Sequence, residues 1–229
     1  MEERREHPDS SNAPMSAGTV LNSPFPITHS AFQPAPLIVI SGPSGVGKTT
    51  LVDALLARKS LPLRRAITAT TRAPRPGEIP GVTYHYWTRD EFSQAIERGE
   101  MLERAVVHGK DFYGTPRSEV DSFHKNGIGV ILVIDVQGAG EVRMAYPDDT
   151  LSIFIAPPAF DDLRERLEGR HETEESIRRR LDTAPTELAR KSEYDHVLVN
   201  GNLNATTDEL ERMIRTEFQR RGFSLCSTN

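Results

Sequence analysis

The stretch Leu37-Ile38-Val39-Ile40-Ser41-Gly42-Pro43-Ser44-Gly45-Val46-Gly47-Lys48-Thr49 decides the fold of this chain. Its first four residues form a β-branched, apolar run that is typical of a buried strand. Its last eight residues fit the phosphate-loop pattern G-x-x-x-x-G-K-[ST] at every fixed position, and apolar residues at helical spacing follow from Leu51 to Leu56. A strand, a glycine-rich loop and a helix in this order predict a site for a nucleoside triphosphate.

The residue types of this loop explain how it would bind phosphate. Glycines let the backbone turn tightly and present successive N–H groups to phosphate oxygens, and the helix that follows adds its positive end. Lys48 can reach the β and γ phosphates, and the Thr49 hydroxyl can ligate Mg²⁺ together with them. The predicted donor site comprises Gly42, Pro43, Ser44, Gly45, Val46, Gly47, Lys48, Thr49 and Thr50.

Outward from the loop, short apolar runs alternate with helical patterns. The runs predict strands at 67–71, 130–134, 151–155 and 196–199, and helices at 90–97, 116–125, 160–167, 177–188 and from a capping box at 206–209. This alternation indicates an α/β fold with a mostly parallel central sheet flanked by helices. Pro185 interrupts one helical pattern, so we expect a kink or an early end there.

Composition limits the function classes. Residues 1–34 are rich in Ser, Pro, Asn and Ala without any period, which indicates a disordered tail before a folded domain at 35–229. The net charge of −5 does not suggest a nucleic-acid binder, and no apolar run is long enough to span a membrane. Cys226 is the single cysteine, so we expect a cytoplasmic protein. The expected assembly is either a monomer or a homodimer.

A second cluster could hold a phosphorylated acceptor. Arg72 and Arg75 stand three residues apart in a proline-stiffened loop, and two guanidinium groups suit one phosphate dianion. Tyr84 and Tyr113 could add phenolic donors. Taken alone, such an arginine pair is more often part of a solvated surface.

Over residues 36–220 the sequence resembles the guanylate kinases, which transfer the γ-phosphoryl group of ATP to GMP, and we expect dGMP to serve as an acceptor as well. The stretches that carry the resemblance are the phosphate loop, Thr70-Thr71-Arg72, Arg75-Pro76-Gly77-Glu78, Tyr84, Phe112-Tyr113-Gly114-Thr115, Ile134-Asp135-Val136-Gln137-Gly138, Ile155-Ala156-Pro157-Pro158 and Leu167-Glu168-Gly169-Arg170. The resemblance implies ATP and GMP as substrates, Mg²⁺ as cofactor, a GMP-binding subdomain at about 68–118 and a lid at about 164–185.

The resemblance also implies roles for individual residues. Arg72, Arg75, Tyr84 and Tyr113 would hold the GMP phosphate, and Glu103, Thr68, Thr115 and Asp135 would bind guanine. Guanine offers N1–H and an amino group as adjacent donors to a carboxylate, whereas adenine does not. From position alone, Glu103 could also be an ordinary helix-end carboxylate and Asp135 a structural cap.

The arginine-rich lid carries the remaining implied roles. Arg166, Arg170 and Arg180 would join Lys48 as catalytic contacts to the moving phosphoryl group, and Asn200 would contact adenine. For most charges between Arg164 and Arg180 a salt-bridged, solvated face is the alternative.

Three departures from the family pattern leave alternatives open. Val133 replaces an acidic residue near the metal, the 103–113 segment is one residue longer, and the 170–180 segment is one residue shorter. A register change that displaces Glu103 is one consequence to test. A non-catalytic guanylate-kinase-like module that binds proteins, or a P-loop kinase with another acceptor, is the alternative function.

Overall fold

The computed structural model describes residues 33–107, 111–169 and 173–225, and the structural statements below concern these residues. The tail up to residue 32, Arg170 and Cys226 lie outside the described part of the chain. The elements in chain order are β1 (Leu37–Ser41), α1 (Lys48–Ala57), β2 (Leu63–Arg65), β3 (Ala69–Thr70), β4 (His85–Tyr86), α2 (Arg89–Glu97), β5 (Met101–Val107), β6 (Asp111–Pro116), α3 (Asp121–Lys125), β7 (Gly129–Val133), α4 (Val136–Ala145), β8 (Thr150–Ala156), α5 (Asp161–Glu168), α6 (Glu174–Ala189), β9 (His196–Val199) and α7 (Leu203–Arg220).

A parallel five-stranded sheet forms the centre of the molecule, in the order β2-β7-β1-β8-β9. β1 is a middle strand, and its alternate side chains enter two different cores. Ile38 and Ile40 pack with α1, α5, α6 and α7, whereas Leu37 and Val39 pack with α4 on the opposite face. This burial on both faces explains why β1 is apolar at every position.

A smaller four-stranded sheet, in the order β4-β3-β6-β5, lies beside the central one. β3 and β4 are parallel, whereas the β3–β6 and β5–β6 pairs are antiparallel. α2 covers this sheet with Phe92 and Ala95, which pack against Ala69 and Met101. Its N-terminus carries a full capping box around Thr88, which satisfies backbone donors that the helix leaves open. The sequence reading predicted neither β5 nor β6.

The predicted α/β fold with a mostly parallel sheet is confirmed, and some predicted boundaries are wrong. α6 does not end at Pro185 but continues to Ala189. α7 begins at Leu203 rather than at Thr206, because Asn202 caps it through the Ala205 N–H. The Thr206 hydroxyl instead donates to the Asn202 carbonyl one turn back. The capping box predicted at 206–209 therefore lies inside α7.

Two further differences are smaller. The strand predicted at 67–71 is only the pair Ala69–Thr70. The helix predicted at 116–125 is divided into a 3₁₀ turn at Arg117–Glu119 and α3. Among the described residues, no helix is both long and apolar enough to span a bilayer.

Candidate active site

A cavity of about 600 Å³ lies between the phosphate loop, the smaller sheet and α6. Most of the predicted site residues meet at its wall. Those that line it are Gly42, Ser44, Gly45, Lys48, Thr49, Thr68, Arg72, Arg75, Tyr84, Glu103, Tyr113, Asp135 and Arg180. Pro43, Val46, Gly47, Thr50, Thr115, Arg166 and Asn200 are not in the lining.

The phosphate loop has the shape that its glycines predict. Gly42 and Gly47 have φ values of 138° and 97°, which side chains rarely adopt. A Cβ at Gly42 would also overlap the backbone carbonyl of Ile155, and one at Gly47 would lie 2.6 Å from Asn200 Nδ2. These positions therefore exclude side chains for two independent reasons, the backbone angle and the available space.

Lys48 lies folded against its own loop. Its Nζ donates to the carbonyl oxygens of Gly42 at 2.6 Å and Pro43 at 3.1 Å. The Thr49 side chain is exposed in the first turn of α1 and faces the cavity. A triphosphate would therefore find the lysine ammonium and the hydroxyl on the same side of the loop.

Two residues outside the phosphate loop donate hydrogen bonds to a backbone carbonyl at its centre. Asn200 Nδ2 and Arg166 Nη1 both donate to the Val46 carbonyl at 2.8 Å, and Arg166 Nη2 donates to the Asn200 carbonyl at 2.8 Å. Asn200 is buried. In this arrangement Arg166 contacts the loop backbone rather than the cavity, so its proposed phosphate contact would require a different side-chain position.

α6 presents one polar face to the cavity. Arg180 Nη1 donates to Ser44 Oγ at 2.6 Å, Thr183 and Glu187 follow at helical spacing on the same side, and Arg190 lines the cavity just after the end of α6. Glu187 Oε2 is buried and has no hydrogen-bond partner among the described residues. Burial raises the pKa of Glu187, while the nearby Lys48 charge opposes this shift. Arg180 was predicted from the sequence, whereas Thr183, Glu187 and Arg190 were not. The 3.6-residue helical period counted from Arg180 could have identified them.

At the smaller sheet, the cavity is lined by cationic and phenolic groups. Arg72 Nε donates to Tyr113 Oη at 3.0 Å, and the Arg72 guanidinium lies 5.5 Å from the centre of the Tyr84 ring. Arg75 is exposed. Both Nη atoms of Arg72 donate to Glu78, at 3.0 and 2.8 Å. Burial would raise the pKa of Glu78, but hydrogen bonds from Arg72, the Arg75 backbone and Tyr86 lower it to about 2.

Glu103 is the buried acidic group of the site. It is only 3% exposed, and Thr115 Oγ1 donates to its Oε1 at 2.6 Å from the paired position of β6. Burial raises its pKa to about 7, partly opposed by the Thr115 hydroxyl and reinforced by the Asp135 and Glu141 charges. Gly138 makes room for it, because a Cβ there would overlap the Glu103 carboxylate.

The longer segment after Glu103 does not displace this residue from the cavity, because Glu103 lines the cavity wall. An irregularity in strand pairing lies between Met101 and Glu103, and most of the longer segment, residues 108–110, lies outside the described part of the chain. Glu103 is also not a helix-end residue, since it lies within β5. A buried carboxylate that lines a cavity is well placed to accept hydrogen bonds from a ligand.

Asp135 has a structural role as well as a place in the cavity wall. Its Oδ1 caps α4 by accepting from the backbone N–H groups of Gln137 at 3.0 Å and Gly138 at 2.8 Å. Asp135 is therefore a helix cap, the structural alternative given for it above. These bonds use only Oδ1, which leaves Oδ2 to contact a ligand. Val133, at the position where an acidic residue was expected, also lines the cavity.

Comparisons with known proteins identify similar sequences over most of the chain. A sequence model described as guanylate kinase matches residues 35–217. The chain is 43% identical over 207 residues to a protein named guanylate kinase from Synechococcus sp. strain JA-3-3Ab, covering 86% of this chain and 94% of that one. A guanylate kinase from Thiobacillus denitrificans is 44% identical over 193 residues, covering 82% and 90% of the two chains.

A solved structure is similar as well. The crystal structure of guanylate kinase from Anaplasma phagocytophilum superimposes with a TM-score of 0.69 at 31% sequence identity. The match covers 83% of this chain and 90% of that one.

Proposed function

Because this chain belongs to the guanylate kinase family, an ATP:GMP phosphotransferase family, we propose that it transfers the γ-phosphoryl group of ATP to GMP across the cavity described above. The observation that carries the proposal is a buried carboxylate, Glu103, in the same cavity as the phosphate-loop lysine, Lys48. The first group suits a guanine base and the second suits the phosphates of the donor.

GMP would bind at the smaller sheet. Ionised Glu103 would accept the N1–H and amino protons of guanine, with Thr115, Thr68 and Asp135 around it. Arg72, Arg75, Tyr84 and Tyr113 would hold the phosphate. AMP would leave Glu103 buried without donors, and that desolvation penalty supports selection of guanine.

ATP would bind at the phosphate loop, with its phosphates on the loop N–H groups. Lys48 would exchange its bonds to the Gly42 and Pro43 carbonyls for the β and γ phosphates. Asn200, which already holds the Val46 carbonyl, would contact adenine from the same edge of the sheet. The loop is shaped before ATP arrives, which limits the entropy lost on binding.

The residues present fit Mg²⁺ that arrives with ATP. Thr49 and Asp135 offer a hydroxyl and a carboxylate oxygen at the cavity wall, both hard donors of the kind Mg²⁺ prefers. Among the described residues, no group of acidic, His and Cys side chains could hold the ion alone, which suits shared ligation with phosphate oxygens. When bound, the ion would neutralise charge on the phosphates.

The transfer itself needs alignment and charge neutralisation rather than a covalent intermediate. Arg180 is the lid arginine already in the cavity, where it bonds Ser44. Arg166 would have to leave the Val46 carbonyl, and Arg170 lies outside the described residues. We propose that these arginines and Lys48 surround the transferred group when both nucleotides are bound and exclude water, which favours transfer over hydrolysis.

The proposal is tested by a coupled ADP-release assay with ATP, Mg²⁺ and, in turn, GMP, dGMP, AMP, CMP and UMP. We expect turnover with GMP and dGMP, and its loss in Lys48→Ala. Lys125→Ala, which removes an exposed lysine of α3 far from the loop in sequence, is the matched control and should retain activity. Turnover with another acceptor would overturn the role of Glu103, and none with any acceptor in folded protein would favour the binding module.

Three broader proposals accompany this one. The chain would divide into a core, a GMP-binding subdomain at about 68–118 and a lid at about 164–185, and the separate small sheet supports the second of these. A cytoplasmic location is supported by the single cysteine. Either a monomer or a homodimer is compatible with a site built within one chain.

A further inference from the structure

Glu78 has more polar partners than a surface carboxylate in a loop usually has. Arg72 donates to both of its oxygens, the Arg75 backbone N–H donates to Oε2 at 2.7 Å, and the Tyr86 hydroxyl donates to the same oxygen at 2.7 Å. Its side chain is only 17% exposed. The carboxylate therefore ties together the loop between β3 and β4 and the last residue of β4.

These bonds fix the guanidinium of Arg72. Nη1 also donates to the Ala73 carbonyl at 2.6 Å and Nε donates to Tyr113 Oη, so every N–H of Arg72 except one on Nη2 has a partner in the described residues. The remaining N–H is the one available to a ligand. Arg72 thus enters the site as an oriented, partly neutralised donor.

Arg75 is built differently. Its backbone is fixed by Glu78, since Arg75 N–H donates to the carboxylate and Glu78 N–H donates to the Arg75 carbonyl at 3.1 Å. Its side chain is exposed and has no hydrogen bond or ion pair among the described residues. The Arg75 guanidinium therefore supplies an exposed positive charge beside the fixed one.

We propose that Glu78 is a positioning residue that holds Arg72 in the orientation required for the acceptor phosphate, and thereby divides the two arginines into a fixed anchor and an exposed arm. This inference rests on the proposed function, because it names the phosphate end of the GMP site as the place where Glu78 acts. Two effects oppose each other when Glu78 is removed. Arg72 gains net positive charge, which favours a phosphate, but loses its orientation and must be ordered on binding.

We expect the loss of orientation to dominate, because a bidentate carboxylate restrains a long side chain that otherwise samples many rotamers. In Glu78→Gln the amide keeps the size of the side chain but offers a single acceptor oxygen, and its NH₂ group faces a guanidinium donor. The bidentate pairing with Arg72 is then lost.

The experiment compares wild type, Glu78→Gln and the control Glu97→Gln by calorimetric titration with GMP and with guanosine. Glu97 is an exposed carboxylate at the end of α2. We expect Glu78→Gln to bind GMP about tenfold more weakly, the factor for one misplaced charge-assisted hydrogen bond. Guanosine lacks the phosphate, so its affinity should stay within about twofold of wild type. Tyr86→Phe, which removes one restraint on Glu78, should fall between.

Equal weakening of GMP and guanosine would show a merely structural role and overturn the inference. Unchanged or tighter GMP binding would show that the gained charge dominates, and would overturn it too. A wild-type protein that binds GMP but transfers no phosphoryl group would contradict the proposed function and leave the role of Glu78 measurable. Wild type that binds no GMP would contradict both.

Discussion

Glu103 shows how one residue can conflict with local sequence patterns and still determine the chemistry. A charged residue in the middle of an apolar strand lowers the strand signal, yet here it is buried in the cavity and bonded by Thr115. Its pKa of about 7 places its titration in the physiological range. Protonated Glu103 cannot accept both guanine donors, so binding should follow its ionisation.

The affinity of the wild-type protein for guanosine should therefore increase between pH 6 and pH 8. With a pKa of about 7 the ionised fraction rises about tenfold over this range, and the affinity should rise by a similar factor. Guanosine is the ligand of choice because it lacks a phosphate that would titrate as well. Glu103→Gln should bind more weakly and without this pH dependence. A flat wild-type profile would contradict ionised Glu103 as the guanine acceptor.

Residue types at fixed spacing were predictable where the backbone itself binds the ligand. The phosphate loop needs glycines, a lysine and a hydroxyl in one order, and that order is visible in the sequence. Glu78 and Glu187 were not assigned roles, because a carboxylate acquires a role only through the side chains that face it in three dimensions. Glu78 binds Arg72 and the Arg75 N–H within its own loop and Tyr86 in β4, and Glu187 lies near the charge of Lys48, but these contacts follow no regular spacing.

At the scale of elements, the central strands and long helices follow from apolar periodicity, whereas the β5–β6 hairpin does not. β5 contains Glu103 and Arg104 in adjacent positions, and β6 contains Gly114, so neither strand alternates in the usual way. β2 and β4 were missed because they have only three and two residues. Of the two outcomes expected at Pro185, a kink or an early end of α6, the early end is wrong, since the packing of Ile177, Leu181 and Ala184 outweighs one absent N–H.

Replacing Pro185 by alanine should stabilise the protein. The proline cannot donate to the carbonyl of Leu181, and an interior proline costs about 3 kcal/mol, of which about 1 kcal/mol is offset by its stiffening of the unfolded chain. We expect the free energy of unfolding in urea to rise by about 2 kcal/mol. Arg178→Ala, an exposed change in the same helix, should leave it nearly unchanged. Equal or lower stability of Pro185→Ala would show that the proline relieves strain in α6.

The whole molecule brings two sheets together around one cavity, and this arrangement is the least predictable from sequence. Glu119 is one of the links between them. It accepts hydrogen bonds from Arg64 of β2 at 2.7 Å and from the Ile67 N–H at 3.2 Å, and its Oε1 lies 2.9 Å from His85 Nε2 of β4. These contacts join residues 34 to 55 positions apart in the chain, where periodicity gives no information.

Each nucleotide should stabilise the folded molecule separately. A ligand at about 100 times its Kd adds about 2.7 kcal/mol to the free energy of unfolding, so the thermal midpoint should rise with GMP, with a non-hydrolysable ATP analogue and Mg²⁺, and further with both. Lys48→Ala should lose most of the rise with the analogue and keep the rise with GMP. Glu103→Gln should show the reverse. Loss of both rises in either variant would contradict two separable subsites.

The space that Gly138 leaves for the Glu103 carboxylate limits which substitutions can accumulate at these two positions in evolution. Any side chain at position 138 competes with Glu103, and the conflict is with a side chain that a second substitution can shorten. Descendants that keep guanine recognition must keep the glycine, while a lineage that shortens residue 103 becomes free to vary at 138. Positions 103 and 138 should therefore change together in evolution. A descendant with a side chain at position 138 should no longer recognise guanine.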